Sequence, residues 1–305
     1  MLESLHVALA KSNQGRFSPR LPRDDWRAEL AEHHALAELE IEMVEAERLT
    51  VADAATAAPS DADGFLAWYA RLAQVGPGQG DPLFAWLATT ATTSQMQWFL
   101  AQEVAGEAGF EDLVALAQLK LPERPKLELA RNYWDEMGRG QASAMHGPML
   151  QRLAEAVDLA ALAIPVVWET VALGNLMMAL AGNRRYAYHA LGALGVIELT
   201  APGRAEQVNR GLKRLGIAPR ARHYFALHAT LDLEHSAAWN AEVLHPIVER
   251  EPAVARAIAE GALLRLSAGR RCFERYRREL WAHSQPSFAS SASPDSRNES
   301  PMSLR

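Results

Sequence analysis

The sequence predicts an all-α protein, and three observations support this prediction. The chain is rich in Ala, Leu, Glu and Arg, which are strong helix formers. It almost lacks the alternating Val- and Ile-rich runs that are typical of β-strands. Its long apolar-patterned segments are separated by short loops rich in Gly, Pro and Ser.

The composition restricts the classes of protein to which the chain can belong. Its 305 residues, of which 49% are hydrophobic and 22% charged, suit one large globular domain or two smaller ones. The net charge of −6 gives no reason to expect a nucleic-acid partner. The single cysteine, Cys272, excludes an internal disulfide framework, and the N-terminus lacks a secretory signal pattern. We therefore expect a cytoplasmic protein.

Residues 1–83 are predicted to form an N-terminal extension, which consists of an arm and accessory helices. Residues 1 to about 23 are expected to be an irregular arm. After it, the pattern predicts a helix in 24–49, a loop at 54–64, a short amphipathic helix in 65–74 and a loop at 74–82.

Residues 84–284 are predicted to form the main helical domain. One helix is expected over residues 82–109 and another over residues 126–159. The second of these has a weak point at Gly138 and Gly140, because glycine destabilises a helix interior.

The most apolar stretch, residues 159–182, is long enough to suggest a membrane span. It carries Glu169, however, and a carboxylate in the middle of a span is costly in lipid. We therefore interpret it as a buried core helix and expect no membrane partner. The next helix is predicted to stop at residues 201–204, "APGR", and the Ser- and Pro-rich residues 285–305 are expected to be a disordered tail.

The run "LHATLDLEHSAAWN", residues 227–240, contains the pattern H-x-x-x-D-x-x-H. With about 100° of rotation per residue, Asp232 lies near +40° and His235 near −20° relative to His228. All three side chains therefore point to the same side of a helix. Two imidazoles and a carboxylate on one stripe suit iron, manganese or zinc, although the same residues could also form a solvated helix face.

Other helices offer further ligands. Glu198 lies in an apolar helix, where a lone carboxylate must be paired, protonated or bound to a metal. Glu136 and His146 are ten residues apart, which leaves them about 80° apart on an ideal helix unless the intervening glycines bend it. Glu103 ends the apolar run "MQWFLAQE". Carboxylates and histidines carried on several helices are how bundle proteins hold two irons.

Three segments, "NYWDEMGRG", "ELTAPGR" and "HATLDLEHSAAW", resemble the haem-oxygenase-like di-iron oxidases, which are also called iron-containing redox enzymes. The resemblance extends from about residue 84 to residue 280. It implies a haem-oxygenase-like helical bundle without haem, with two iron ions as cofactors and O2 as co-substrate. The metal ligands it implies are Glu103, Glu136, His146, Glu198, His228, Asp232 and His235. For Glu103, the nearby Glu107 and Glu111 are competing candidates.

The resemblance also implies an O2-dependent oxidoreductase whose small organic substrate is an amino acid, an amine or a fatty acid. An external electron donor is expected, because the sequence has no dinucleotide-binding glycine pattern and no cysteine set for an iron–sulfur cluster. A homodimer is compatible with the sequence. Two other functions stay open, namely a haem-binding or haem-degrading protein and a non-catalytic helical interaction protein.

Several other residues have two interpretations. Asp135 could bind a metal or accept a hydrogen bond from a histidine that does. Arg131, Arg139 and Arg204 could bind a substrate carboxylate or pair with surface acids. The aromatic residues near these positions, Tyr133, Trp134, Tyr224 and Phe225, are interpreted as core residues.

Overall fold

The computed structural model describes residues 2–106 and 109–282, and these residues contain helices and no strand. The all-α prediction is confirmed. The helices are α1 (Leu2–Phe17), α2 (Trp26–Ala55), α3 (Ala62–Val75), α4 (Pro82–Thr89), α5 (Thr93–Gly106), α6 (Phe110–Ala117), α7 (Glu123–Glu136), α8 (His146–Ala156), α9 (Trp168–Gly182), α10 (Ala187–Arg214), α11 (His223–Ala238), α12 (His245–Arg250) and α13 (Ala255–Ala282). A π-helical segment, Trp239–Leu244, joins α11 to α12. The predicted tail, residues 285–305, lies outside the described residues.

The N-terminal arm was predicted to be irregular, and this prediction is wrong. Residues Leu2–Phe17 form helix α1, which packs against α9. His6, Leu9 and Asn13 are buried on one face of α1, at the spacing of a helical stripe. The Asn13 side-chain amide donates to Asn175 Oδ1 of α9 at 3.1 Å. This face has few large apolar residues, so its helical pattern is weak in the sequence.

The helix predicted over residues 82–109 is two helices, α4 and α5. The break follows from a capping box that starts at Thr92. The Thr92 backbone N–H donates to Gln95 Oε1 at 2.9 Å, and the Gln95 backbone N–H donates to Thr92 Oγ1 at 3.3 Å. This reciprocal pair starts a new helix, since it satisfies N–H groups that have no partner inside the helix.

The predicted weak point at Gly138 and Gly140 is a complete break between α7 and α8. Gly138, Arg139 and Gly140 all have positive φ, at 60°, 53° and 83°. Glycine adopts this left-handed region without strain, whereas other residues do so at a cost. The chain therefore changes direction between Glu136 and His146.

Helix α10 was predicted to stop at "APGR", but it continues through Pro202 to Arg214. Proline has no backbone N–H, so the hydrogen bond from residue 202 to the carbonyl of Glu198 is missing. The helix nevertheless continues because Ala205, Val208 and Leu212 beyond the proline are buried in the core. Burial of this apolar stripe outweighs the loss of one hydrogen bond.

Helix α10 is the central element of the bundle, and it packs along α11 and α13. Glycines allow its close approach to α13. A Cβ atom at Gly192 would lie 1.9 Å from the carbonyl oxygen of Ile258, and one at Gly261 would lie 1.9 Å from that of His189. The two helix backbones are therefore in direct contact, with no space for side chains between them.

The apolar stretch 159–182 is α-helical only over α9, which is 15 residues long and packs in the core. Within the described part of the chain, no helix has both the length and the apolarity needed to cross a membrane.

The α10–α13 contact predicts a large effect of a single methyl group. We expect Gly192→Ala to lower the free energy of unfolding by about 1–3 kcal/mol, because a new Cβ forces the two helices apart. Urea denaturation monitored by circular dichroism measures this change.

The matched control is Gly174→Ala in α9, where a Cβ atom would meet no heavy atom within 4 Å. This variant should be as stable as the parent or more stable by up to about 1 kcal/mol, because alanine is the better helix former. Equal stabilities of the two variants would show that α10 and α13 are not in close contact.

Candidate metal centre

A cavity of about 190 Å³ lies inside the bundle, among helices α4 to α11 and α13. Six of the seven predicted ligands line it. These are Glu103, Glu136, His146, Glu198, His228 and Asp232. The seventh, His235, has no exposed surface. The structure therefore brings the predicted site residues to one interior region.

Three of these side chains form a first group of possible metal ligands. Glu136, His146 and His228 each offer a ligand atom, and these atoms lie within 4.8 Å of one another. The break between α7 and α8 makes this possible, because it directs the two segments toward the same point. His146 Nδ1 lies 2.5 Å from Glu136 Oε2.

A second group shares one member with the first. Glu136, Glu198 and His235 also offer ligand atoms within 4.8 Å of one another. His235 Nδ1 lies 3.5 Å from Glu198 Oε2. Glu136 is therefore shared by two groups of potential ligands.

Asp232 belongs to neither group, but it contacts the first one. Its Oδ1 lies 2.9 Å from Nδ1 of His228, and the carboxylate is 2% exposed. Its neighbour Leu233 is 61% exposed, and Glu234 is exposed as well. The stripe deduced from the spacing of α11 therefore faces the interior, and the opposite face is in solvent.

Glu103 has a different position from the other predicted ligands. It lines the cavity but belongs to neither group. Of the two competing acids, Glu107 lies outside the described residues. Glu111 lies near His146, since its Oε1 is 3.7 Å from the place where a Cβ at Gly147 would be. A role of Glu103 as a ligand stays a prediction.

Two residues of α7 hold the candidate ligands from outside. Asp135 Oδ2 lies 3.2 Å from Nε2 of His235, so it takes the role of a hydrogen-bond acceptor for a histidine. The Asn132 side-chain amide donates to Glu198 Oε1 at 2.8 Å. Asn132 was missed in the sequence, although it shares a helix face with Glu136 four residues later.

Arg131 and Arg139 both pair with Asp135 of α7 and do not line the cavity. Arg139 Nε donates to Asp135 Oδ1 at 2.6 Å, and Arg131 Nη1 donates to Asp135 Oδ2 at 3.4 Å. Of the three arginines considered for substrate binding, only Arg204 lines the cavity.

The aromatic residues that were interpreted as core have mixed positions. Trp134 is 53% exposed, so that interpretation is wrong for this residue. Tyr224 and Phe225 line the cavity. The described contacts place Tyr224 against His228, with ring centroids 4.5 Å apart.

Burial and neighbouring charges shift the pKa values of the three histidines in different directions. Burial lowers the pKa of His146 to about 4, helped by the nearby His228. Burial alone would also lower the pKa of His228, but the carboxylates of Asp232 and Glu136 outweigh it and raise the value to about 9. The carboxylate of Glu198 likewise outweighs burial and raises the pKa of His235 to about 9. At neutral pH, His146 is thus neutral while the other two carry protons.

The chemistry of the buried atoms fits a metal centre. His228 Nε2 is buried without a hydrogen-bond partner among the described residues, whereas His146 Nδ1 and His235 Nδ1 are buried beside carboxylate oxygens of Glu136 and Glu198. Buried polar atoms are otherwise nearly always paired. Buried imidazole nitrogens beside clustered carboxylates form a donor set that suits iron in a helical bundle.

Comparisons with known proteins agree with this assignment. The sequence profile of a family described as iron-containing redox enzyme matches residues 97–270, a range that contains all seven predicted ligands. This match confirms the resemblance seen in the motifs and, with the all-α architecture, supports the predicted haem-oxygenase-like bundle.

One solved structure similar to the chain is a domain of unknown function with a heme oxygenase-like fold from Shewanella denitrificans. The two are 16% identical with a TM-score of 0.49, and the match covers 75% of this chain and 95% of that one. No curated protein matches the sequence.

The histidine pKa values predict that metal binding releases protons. An imidazole must lose its proton before it can bind a metal. At pH 7.5, His228 and His235 are protonated in the metal-free protein, because their pKa values are about 9. The apparent affinity for Fe(II) should therefore rise as the pH rises toward 9. Anaerobic calorimetric titration in two buffers of different ionisation enthalpy measures the released protons.

His146 provides the internal control, because its pKa of about 4 leaves it neutral at this pH. His228→Gln should reduce the release by about one proton per chain, whereas His146→Gln should weaken binding without this reduction. Binding that is independent of pH between 6.5 and 9 would contradict the assignment of His228 and His235 as ligands.

Proposed function

The chain belongs to the iron-containing redox enzyme family, and from this premise we propose that it is a non-haem di-iron oxidoreductase that uses O2 to oxidise a small organic substrate. The observation that carries the proposal is the position of Glu136. It belongs to both groups of potential ligands, one with His146 and His228 and one with Glu198 and His235. A carboxylate can bind two cations at once, and an imidazole can serve as a further ligand of each cation.

Under this proposal, each group holds one ion, and the two groups share Glu136. Glu136, His146 and His228 would hold one ion, and Glu136, Glu198 and His235 the other. Asp232 lies against His228, where it would bind the same ion or fix the orientation of that ring. Asp135 contacts Nε2 of His235 and would fix the orientation of that ring, so that Nδ1 faces Glu198.

The iron ions would supply O2 activation and electron transfer when bound. The protein would contribute the ligands and a largely apolar cavity wall. Apolar side chains, among them Leu113, Met177, Ile197 and Val208, line the cavity beside the ligands. Such a wall protects reactive species from water and strengthens electrostatic interactions in the site.

The electrons would come from an external donor. The only cysteine, Cys272, is buried, and burial raises the pKa of its thiol to about 12. A thiol with a high pKa is a poor nucleophile, so a covalent role for Cys272 is disfavoured.

The substrate is a small molecule, since the cavity of about 190 Å³ limits its size.

The proposal is tested by loading the purified full-length chain with Fe(II) under anaerobic conditions and then exposing it to O2. We expect about two irons per chain and an optical change that requires O2. A Soret band in the purified protein would instead favour the haem-binding alternative. A chain that retains no iron would favour the non-catalytic alternative.

A substitution at Asp232 tests whether the buried face of α11 contributes to iron binding. Asp232→Ala removes a buried carboxylate and the hydrogen bond to His228, while both imidazoles of the helix remain. We expect the variant to keep its helical content, to lower its iron content and to lose O2 consumption in the presence of reductant. Iron per chain and the rate of O2 consumption are the two measurements.

Glu234→Ala is the matched control on the same helix. Glu234 lies about 200° of rotation from Asp232 and is exposed, so its removal should leave iron loading nearly intact. If Glu234→Ala lost iron while Asp232→Ala retained it, the assignment of this helix to the metal centre would be wrong.

A further inference from the structure

Arg204 extends from α10 into the same cavity as the candidate ligands. It lies six residues after Glu198, which is about 9 Å along the helix axis. Its Nη2 donates to Thr200 Oγ1 at 3.1 Å, so the side chain runs back toward the N-terminus of α10. The guanidinium group is thereby brought closer to Glu198.

The environment of Arg204 is unusual for a cation. Within residues 2–106 and 109–282, no carboxylate forms an ion pair with it, and Thr200 supplies its hydrogen bond. Its carbon Cζ lies 5.9 Å from the ring centroid of Phe84 and 5.7 Å from that of Phe273. Aromatic faces stabilise a cation in part, but they leave most of its N–H groups without acceptors.

This arrangement is energetically costly. Burial lowers the pKa of Arg204 to about 10, and the nearby Arg265 lowers it further, while Glu103 and Asp232 offset part of the shift. By solvent exposure Arg204 is half-buried, so its charge keeps only part of its hydration, and a charge in such a position is normally paired. By contrast, Arg131 and Arg139 are both paired with Asp135. An anion in the cavity would compensate Arg204.

Most of the rest of the cavity wall is apolar. It includes Phe84, Phe110, Leu173, Met177, Val208 and Phe273. A ligand that fits this wall has an apolar body, and Arg204 is a cation positioned for an anionic head group. A carboxylate matches the guanidinium group best, because it can accept two parallel N–H hydrogen bonds.

We propose that Arg204 binds the carboxylate of the substrate, and that the substrate class is carboxylic acids with an apolar body. This inference rests on the proposed function only in treating the cavity as the substrate site. It excludes amines that lack a carboxylate, although such amines are equally small organic molecules.

The test compares probes that share one apolar tail and differ in the head group, namely octanoate, octan-1-ol and octylamine, with 3-phenylpropanoate as a second acid. Binding to the full-length chain is measured by calorimetry, both for Fe(II)-loaded protein under anaerobic conditions and for metal-free protein. The variants are Arg204→Met and Arg204→Lys. The matched control is Arg210→Met, which changes an exposed arginine of the same helix.

The wild type should bind at least one of the two acids, and Arg204→Met should weaken that binding by about tenfold or more, as expected for a charge-assisted pair. Binding of octan-1-ol should change little. Arg204→Lys should retain part of the affinity for the acid, because it keeps the charge but loses the planar fork. Arg210→Met should behave like the wild type.

Equal acid affinities of the wild type and Arg204→Met would overturn the proposal. So would a preference for octylamine, or a wild type that binds neither acid. The metal-free measurements separate this inference from the proposed function, because they exclude direct coordination of the acid to iron. If the chain holds no iron but the Arg204 effect persists, the proposed function fails and the carboxylate site stands. If Arg204→Met loads iron normally and binds acids normally, the carboxylate site fails and the proposed function stands.

Discussion

The burial of ionisable groups in the middle of an apolar bundle is the constraint on which the rest of this structure depends. Glu136, Glu198 and Asp232 are each only 2% exposed. A carboxylate at such depth is tolerated only if it is paired, protonated or bound to a cation. The three acids lie on α7, α10 and α11, and they meet the imidazoles of His228 and His235 at the centre. The pairing of these carboxylates with the imidazoles therefore restricts how the three helices can be arranged.

Further charged contacts connect this buried centre to the protein surface. His235 contacts Asp135, and Asp135 contacts Arg139, whose side chain is 68% exposed. A chain of alternating charges thus connects the buried centre to solvent on one side. On the cavity side, Arg204 forms no ion pair with any of the described residues. The two sides therefore differ: on one side the charges are paired within the protein, and on the other side a ligand would pair with Arg204.

Much of this arrangement could be predicted from local sequence spacing. The intervals between His228, Asp232 and His235 place them on one side of a helix, and the isolated Glu198 in an apolar helix points to burial. Their proximity in space follows, whereas their role as metal ligands stays a prediction. The glycines at positions 138 and 140 indicated a weak point, and the complete break there explains why Glu136 and His146 meet despite unfavourable spacing.

Features that depend on pairing between distant segments could not be predicted in this way. Helix α1 is specified by contacts with α9, such as the hydrogen bond between Asn13 and Asn175, and not by its own pattern. The pairing of Arg131 follows from local spacing, because Glu128 and Asp135 stand three residues before it and four residues after it. The position of Arg204 in the cavity, by contrast, depends on how other helices pack around α10. The prediction that α10 stops at "APGR" failed because burial beyond Pro202 outweighs a local helix-breaking signal.

The proline inside α10 has a mechanical consequence. The carbonyl of Glu198 has no intrahelical donor at residue 202, so one turn of this helix is held together less firmly than its neighbours. Glu198 and Arg204 lie on opposite sides of that turn, and both ends of α10 are anchored by packing. A bend of the helix at this turn would change the separation of the acid and the cation.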